Sequence, residues 1–328
     1  MSAYTPFAIF SGTNSRYLAE RICKSLHCPL GQMNIEHFAD GEFSVSYEES
    51  IRGKDVFLVQ STFPNSDNLM ELLLMVNAAR GASAAQITAV IPHYAYARSD
   101  KKDASRISLG GRLVADLLVT AGVDRVLTMN LHAPQVHGFF SVPVDHLTAL
   151  GVIADHYRGR DLSNHVVVSP DLGNAKQATL LARLLGLPVA AGNKQRLADD
   201  KVVISSIVGD VAGKKAIVLD DEIATGGSIV EIVSRLADHG CAEASIACTH
   251  GLFTGSAVER LTSATHISEV VSTNTVPAPA NFPGLKTLSV ASLFAEAIAR
   301  IHSGNSVSTL FNGVDPAYAP PQDQEGLF

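Results

Sequence analysis

Short apolar runs rich in β-branched residues alternate along this chain with stretches whose apolar positions recur at helical spacing, and that alternation leaves few folds open. The runs "FAIF", "DVFLVQS", "QITAVIP", "RVLTMN", "HVVVSP", "KAIVLD", "ASIACTH" and "EVVSTN" read as strands. Between them the spacing predicts helices over Leu69 to Arg80, Leu109 to Thr120, Ala175 to Leu185 and Ser228 to Asp238. Strands interrupted by helices pair in parallel, because a parallel neighbour needs a crossover long enough to hold a helix. The expected class is therefore α/β. A turn-rich stretch, "FFSVPVDHL", separates two halves near residue 146, and the Pro-rich, polar end after Phe311 is expected to fray.

At 328 residues the chain can build two domains, each with its own core. An apolar fraction of 46% against 17% charged residues describes a compact soluble protein. The formal net charge of -7 excludes long-range attraction to nucleic acid or to an anionic membrane, so any phosphate binding has to be local. No apolar stretch reaches the roughly 18 residues that span a bilayer, and no basic segment precedes "MSAYTPFAIF", so the expected location is the cytoplasm. Cys23, Cys28, Cys241 and Cys248 lack both zinc-site spacing and the density of a disulfide scaffold, and read as reduced thiols.

The halves resemble each other. Shifted by 160 positions, "VFLVQSTFPNSDNLMELLLMV" from Val56 falls without a gap on "AIVLDDEIATGGSIVEIVSRL" from Ala216. Leu69, Leu72, Leu73 and Val76 land on Ile229, Ile232, Val233 and Leu236, one face of a helix. The loops differ: Gln60, Ser61 and Thr62 stand against Asp220, Asp221 and Glu222, and Asn65, Ser66 and Asp67 against Thr225, Gly226 and Gly227. One reading is a duplicated domain whose second copy alone kept a site. The other is that strand, loop and helix units look alike at this level of comparison.

That second loop carries chemistry. It follows a predicted strand, at the end of a parallel sheet where open α/β folds place ligands. Gly226 and Gly227 let an anion approach the backbone, and the N-terminus of the helix that follows adds partial positive charge. Asp220 and Asp221 cannot hold a phosphate, but they can accept hydrogen bonds from a vicinal diol or act through a metal ion. A phosphorylated sugar satisfies both halves of the loop. The bland alternative is a pair of solvated acids before a helix capped by Thr225 or Ser228.

"VLDDEIATGGS" resembles the phosphoribosyl pyrophosphate loop of the phosphoribosyltransferases and of ribose-phosphate pyrophosphokinase. The stretches "FADGEF", "NLMELLLMVNAAR", "ITAVIPHYAYARSDKKD", "RVLTMNLHAPQVHGFF", "VVVSPDLGNAK" and "SVSTLF" are similar to the second of these families in particular, over nearly the whole chain from Phe10 to Phe311. The resemblance implies two similar phosphoribosyltransferase-type domains, each with a mainly parallel sheet flanked by helices. Residues 1–147 would form the ATP side and 148–311 the ribose 5-phosphate side, with the last helix packed back on the first domain and 312–328 a flexible tail. It implies Mg²⁺-dependent diphosphoryl transfer from ATP to ribose 5-phosphate in a site between the domains, AMP release, and a homo-oligomer, a hexamer in the family.

The same resemblance implies roles residue by residue. Phe38, Asp40, Gly41 and Glu42 would contact ATP, together with Arg98, Ser99 and Asp100 of "YARSDK", where Ser99 stands in place of the family's usual glutamine. His132 and Asp171 would lie at the metal, with Asn130 where the family usually has aspartate and Asn174 where a second glycine is common. Lys194 and Arg196 would be the catalytic cations, on a polar segment suited to a mobile lid. Asp220, Asp221, Ala224, Thr225, Gly226, Gly227 and Ser228 would hold ribose 5-phosphate, Ala224 replacing a common aspartate. Arg52, Lys102, Ser105, Arg106, Ser306 and Ser308 would contact phosphate or ADP as effectors, and His137 replaces a glutamine nearby. Two rivals stay open: a non-catalytic regulatory paralogue, suggested by Asn130 and Ala224, and a phosphoribosyltransferase.

Overall fold

The computed structural model describes residues 6–198 and 201–311, without the side chains of 194–205, Thr309 and Phe311. Lys194, Arg196 and the tail at 312–328 thus lie wholly or in their side chains outside the described residues. The chain divides into two compact units. The first takes residues 6–147, Thr275–Pro277 and Val290–Leu310, and the second takes Thr148–Asn274 and Ala278–Ser289.

In the first unit β1 (Phe7–Ser11) leads through α1 (Arg16–Leu26) to a hairpin of β2 (Met33–His37) and β3 (Phe43–Tyr47). Then follow β4 (Asp55–Val59), α2 (Ser66–Gly81), β5 (Gln86–Ile91), α3 (Gly110–Ala121), β6 (Arg125–Met129) and β7 (Val144–Leu147). The sheet runs β1-β4-β5-β6-β7, every neighbour parallel. Its strands bury residues on both faces, as Val56 to Val59 do, which is why they read as continuous apolar runs. Helix α1 ends in a left-handed His27, and Gly122 plays the same part for α3.

In the second unit α4 (Leu150–Tyr157) precedes β8 (His165–Ser169), α5 (Ala175–Leu185), β9 (Val189–Ala198) and β10 (Lys201–Val208). After these come β11 (Lys215–Ile223), α6 (Gly227–Asp238), β12 (Glu243–Gly251), α7 (Ala257–Ser263), β13 (Ile267–Thr273) and β14 (Leu285–Leu288). The order is β10-β9-β8-β11-β12-β13-β14, parallel except where β10 meets β9. The last helix, α8 (Ala291–Ser303), belongs to the first unit, where it packs on α1 and its His302 Nδ1 lies 2.9 Å from Asp55 Oδ2.

The two units repeat one plan. Strand, helix, antiparallel pair, strand, helix, strand, helix, strand and strand occur in both, and the order β1-β4-β5-β6-β7 corresponds position by position to β8-β11-β12-β13-β14. This agreement favours the duplication over the looser reading, since a chance likeness of two local segments does not fix the order of five strands. Two sequence expectations change. "FFSVPVDHL" contains strand β7 and is part of the first sheet. The segment around Lys194 is a strand, with Lys194 opposite Ile204 and Arg196 opposite Val202, because the β-branched run "KVVISSIV" gives it a partner.

Candidate active site

The loop that follows β11 is built from the backbone outward. Strand β11 runs on past Leu219, so Asp220, Asp221 and Glu222 lie within it, Asp220 opposite Cys248 and Glu222 opposite His250 on β12. Beyond it the Ile223 carbonyl accepts from Leu252 N and Phe253 N, and the Ala224 carbonyl accepts from Thr254 N at 2.8 Å. The loop is thereby held from one side by the segment after β12. Gly226 then takes φ +73°, a left-handed conformation that an L side chain resists, and is the N-cap of α6. No side chain caps this helix. Neither Thr225 nor Ser228 is the N-cap, so the first N–H groups of α6 are left to a ligand or to solvent.

Upstream the charge is negative and crowded. Burial, with the neighbouring Asp221 and Asp171 carboxylates adding to it, holds Asp220 well above the usual carboxylate range. Asp171, in the loop after β8, folds its own loop by accepting from Gly173 N at 2.9 Å and Asn174 N at 3.1 Å through Oδ1. Asn174 ties this loop to the end of β11, its Nδ2 donating to the Leu219 carbonyl at 2.8 Å. Three carboxylates thus lie within electrostatic reach of one another, yet among the described residues no three acidic, histidine or cysteine side chains are gathered closely enough to hold a metal ion. Ribose hydroxyls suit such acceptors, because hydrogen bonds donated to the carboxylates would offset the burial and repulsion that raise Asp220.

The other sequence-predicted residues fall in the first unit. Phe38, Asp40, Gly41 and Glu42 form the tip of the β2–β3 hairpin: Glu42 N donates to Asp40 Oδ1, Phe38 N to the Glu42 carbonyl, and Gly41 has φ +93°. Phe38 is 45% exposed, so its aromatic side chain is accessible to a planar partner. Arg98 is exposed beyond β5, and His132 is exposed in the segment after β6. Asp100 accepts a hydrogen bond from Gln135 Nε2. Ser99 is engaged twice: its hydroxyl donates to the Ser108 carbonyl at 2.9 Å and accepts from Gly110 N at 3.0 Å. It therefore closes the 100–109 loop onto the start of α3, a structural use not apparent from the sequence.

Lys102, Ser105 and Arg106 are exposed on that loop, and Arg52 is exposed in the turn before β4. Ser306 and Ser308 follow α8 with hydroxyls 2.6 Å apart, and the Ser306 carbonyl accepts from Arg300 Nη1. Sequence reasoning also passed over Arg260 on α7. Its Nη1 donates to the Thr225 carbonyl at 3.1 Å, and no local motif announced a contact between residues 35 positions apart.

An open parallel α/β unit with an uncapped glycine turn and crowded carboxylates at its strand ends defines a binder of phosphorylated, hydroxyl-bearing small molecules. The comparisons make this specific. Residues 7–122 match the family model described as the N-terminal domain of ribose phosphate pyrophosphokinase, and residues 194–312 match that of the phosphoribosyl synthetase-associated domain. A Streptomyces coelicolor protein is 57% identical over 308 residues, covering 93% of this chain and 97% of its own. The ribose-phosphate pyrophosphokinase of Porphyromonas gingivalis is 51% identical, with 93% and 97% covered. That of Deinococcus radiodurans is 50% identical, with 94% and 99% covered. The crystal structure of phosphoribosylpyrophosphate synthetase from Mycobacterium smegmatis superposes with a TM-score of 0.86 at 38% identity, over 92% of this chain and all of that one. The chain belongs to the ribose-phosphate pyrophosphokinase family, and its two units have the phosphoribosyltransferase-type fold.

Proposed function

We propose that the protein makes 5-phosphoribosyl 1-diphosphate by moving the diphosphoryl group of ATP onto the anomeric hydroxyl of ribose 5-phosphate, with release of AMP. The observation that carries this reading is the uncapped, glycine-bearing start of α6 directly after the Asp220–Asp221 pair. Backbone N–H groups from Ala224 to Ser228 take the 5-phosphate, and the two carboxylates accept the ribose 2- and 3-hydroxyls. The sugar is then held at both ends, which fixes the 1-hydroxyl relative to the β-phosphorus. The 1-hydroxyl gives up its proton to water as its oxygen bonds to that phosphorus and the bridging bond to the α-phosphate breaks, and AMP leaves with the bridging oxygen.

On the nucleotide side, Phe38 stacks on the adenine, Arg98 pairs with phosphate, and Asp40, Gly41, Glu42, Ser99 and Asp100 line the approach. Lys194 and Arg196 neutralise the charge that spreads over the transferring group. Mg²⁺, held by Asp171 and His132, would screen the phosphate oxygens and draw electrons from phosphorus. Ala224 offers no carboxylate, but its carbonyl already accepts from Thr254 N, so the loop keeps its shape without the aspartate. This favours an active enzyme over a silent paralogue.

As regulation, phosphate and ADP would act through Arg52, Lys102, Ser105, Arg106, Ser306 and Ser308, in a cytoplasmic homo-oligomer of hexameric form. The deciding experiment is AMP formation from ATP and ribose 5-phosphate with Mg²⁺, beside Lys194→Ala. AMP release that collapses in the variant supports the synthetase. A folded protein that releases none at any phosphate or Mg²⁺ concentration refutes it.

A further inference from the structure

We infer that Arg260 is a positioning residue for the ribose 5-phosphate loop, aiming its backbone donors and supplying the positive charge the loop lacks. The inference rests on the proposed binding of a sugar phosphate between Ala224 and Ser228. Arg260 Nη1 donates to the Thr225 carbonyl at 3.1 Å. In a trans peptide the carbonyl and the following N–H point in opposite directions, so a hand on Thr225 O turns the Gly226 N–H away from α7. Gly226 has φ +73° and ψ −2° and no side chain to hold it there, so this peptide would otherwise flip at little cost. One exposed guanidinium thus sets the direction of the first donor in the cradle.

Its charge matters for a second reason. Asp220, Asp221 and Glu222 precede the loop, and the whole chain carries a net charge of -7, so a phosphate dianion meets repulsion on the way in. Arg260 forms no ion pair among the described residues, which leaves its charge uncompensated. Nη1 lies 3.9 Å from the point a Gly227 Cβ would occupy, and so does Thr225 Oγ1. The guanidinium and a hydroxyl therefore both lie close to the glycine at which the proposed anion would rest. Neither feature depends on the helix terminus alone.

The test compares Arg260→Ala and Arg260→Lys with the wild type in the full-length protein, by steady-state AMP formation and by thermal shift with ribose 5-phosphate or ribose. The expected result for Arg260→Ala is a KM for ribose 5-phosphate raised about tenfold, as for loss of one charged hydrogen bond. The KM for ATP should hold within about twofold. Arg260→Lys, which keeps the charge and one donor, should recover part of the loss. The thermal shift given by ribose 5-phosphate should shrink in Arg260→Ala, while any shift with ribose stays the same. An unchanged KM for ribose 5-phosphate, or losses in kcat and both KM values alike with a lowered Tm, overturns the inference and leaves the synthetase reading standing. A wild type that forms no AMP refutes that reading instead, and the thermal shifts then decide Arg260 separately: no difference between wild type and Arg260→Ala overturns its role.

Discussion

Replacing Gly226 and Gly227 by alanine, one at a time, should separate the fold of the loop from its use. At Gly226 the backbone has φ +73°, where a Cβ costs roughly 1–2 kcal/mol. The added carbon would lie 3.4 Å from Leu261 Cγ and 3.7 Å from Ala257 Cα, at or beyond ordinary contact, so the packing cost is small. Alanine also restricts the unfolded chain, which returns about 0.4–1 kcal/mol where the native backbone is compatible and less where it is not. The net expectation for Gly226→Ala is about 1 kcal/mol of lost stability, or about 2–4 °C in Tm for the second unit. Gly227 has no left-handed φ, and the nearest atoms to its Cβ are 3.9 Å away, so the first turn of α6 should accept alanine without loss. Yet that methyl would lie 3.9 Å from both Thr225 Oγ1 and Arg260 Nη1, beside the backbone donors to which the proposed phosphate would bind. Gly227→Ala should therefore keep the wild-type Tm and raise the KM for ribose 5-phosphate at least about tenfold, as for a lost charged hydrogen bond. Thermal melting and steady-state kinetics on both variants check this. A Gly227→Ala enzyme with an unchanged KM, or a Gly226→Ala protein as stable as wild type, would show that the cradle is not where the backbone puts it.

Three further outcomes follow from the buried polar groups. His146 accepts the Leu131 N–H at 2.8 Å through Nε2, and burial, aided by nearby His137, pulls its pKa from 6.5 down to about 4. The unfolded chain then binds the extra proton between these values, so stability should rise with pH from about 4 to 6.5, by at most about 3 kcal/mol, and then level off. Urea midpoints across that range test it, and His146→Gln, which can still accept from Leu131, should flatten the profile. Asp220 is held above its usual range by burial and its acidic neighbours, so Asp220→Asn should raise the Tm of the ligand-free protein at pH 7 while abolishing AMP formation; a lower Tm would contradict the assignment. Glu71→Ala removes the acceptor of the Thr13 N–H and hydroxyl, which can turn to water, and leaves Gln60 Nε2 only the longer bond to Asn68 Oδ1, so it should cost the first unit about 1–3 kcal/mol, read as a fall in its denaturation midpoint.

How far the sequence could be read depended on burial. Strands covered on both faces, such as Val56–Val59 and Val166–Ser169, are continuous apolar runs and were legible. Strands β2 and β3 alternate half-buried with exposed residues, and β7 and β14 have four residues each, so they carry too little pattern to separate from turns. Strand β11 looked finished at Asp220 because acids are poor strand residues, yet pairing with β12 carries it on to Ile223. The glycine turn was legible because only glycine meets its backbone requirement at low cost. The Ser99 hydroxyl and the Arg260 guanidinium were not, since each spends its hydrogen bonds on main-chain groups, which leave no trace in residue identity.

The duplicated plan explains why only one copy of the loop is suited to an anion. In α6 the N-cap is Gly226 with no side-chain cap, whereas in α2 it is Asn65, whose side chain accepts from Asn68 N at 3.4 Å. The first copy thus covers its own helix start with an internal oxygen. A second internal oxygen does the same for the neighbouring loop: Glu71, buried in α2, accepts from Thr13 N at 2.6 Å, from the Thr13 hydroxyl at 2.9 Å and from Gln60 Nε2 at 2.9 Å. Gly12 shows how full this corner is, for a Cβ there would come within 2.4 Å of Gln60 Cδ and Glu71 Oε1. Thr13 occupies the place of Asp171 in the repeat, and Gln60 that of Asp220. Where the second copy gathers carboxylates that repel one another, the first pairs its one carboxylate with three donors, although the buried Gln60 Oε1 beside them has no hydrogen-bond partner among the described residues. On the proposed reading, the polar side chains at the strand ends, more than the shared fold, set which copy would take a sugar phosphate there.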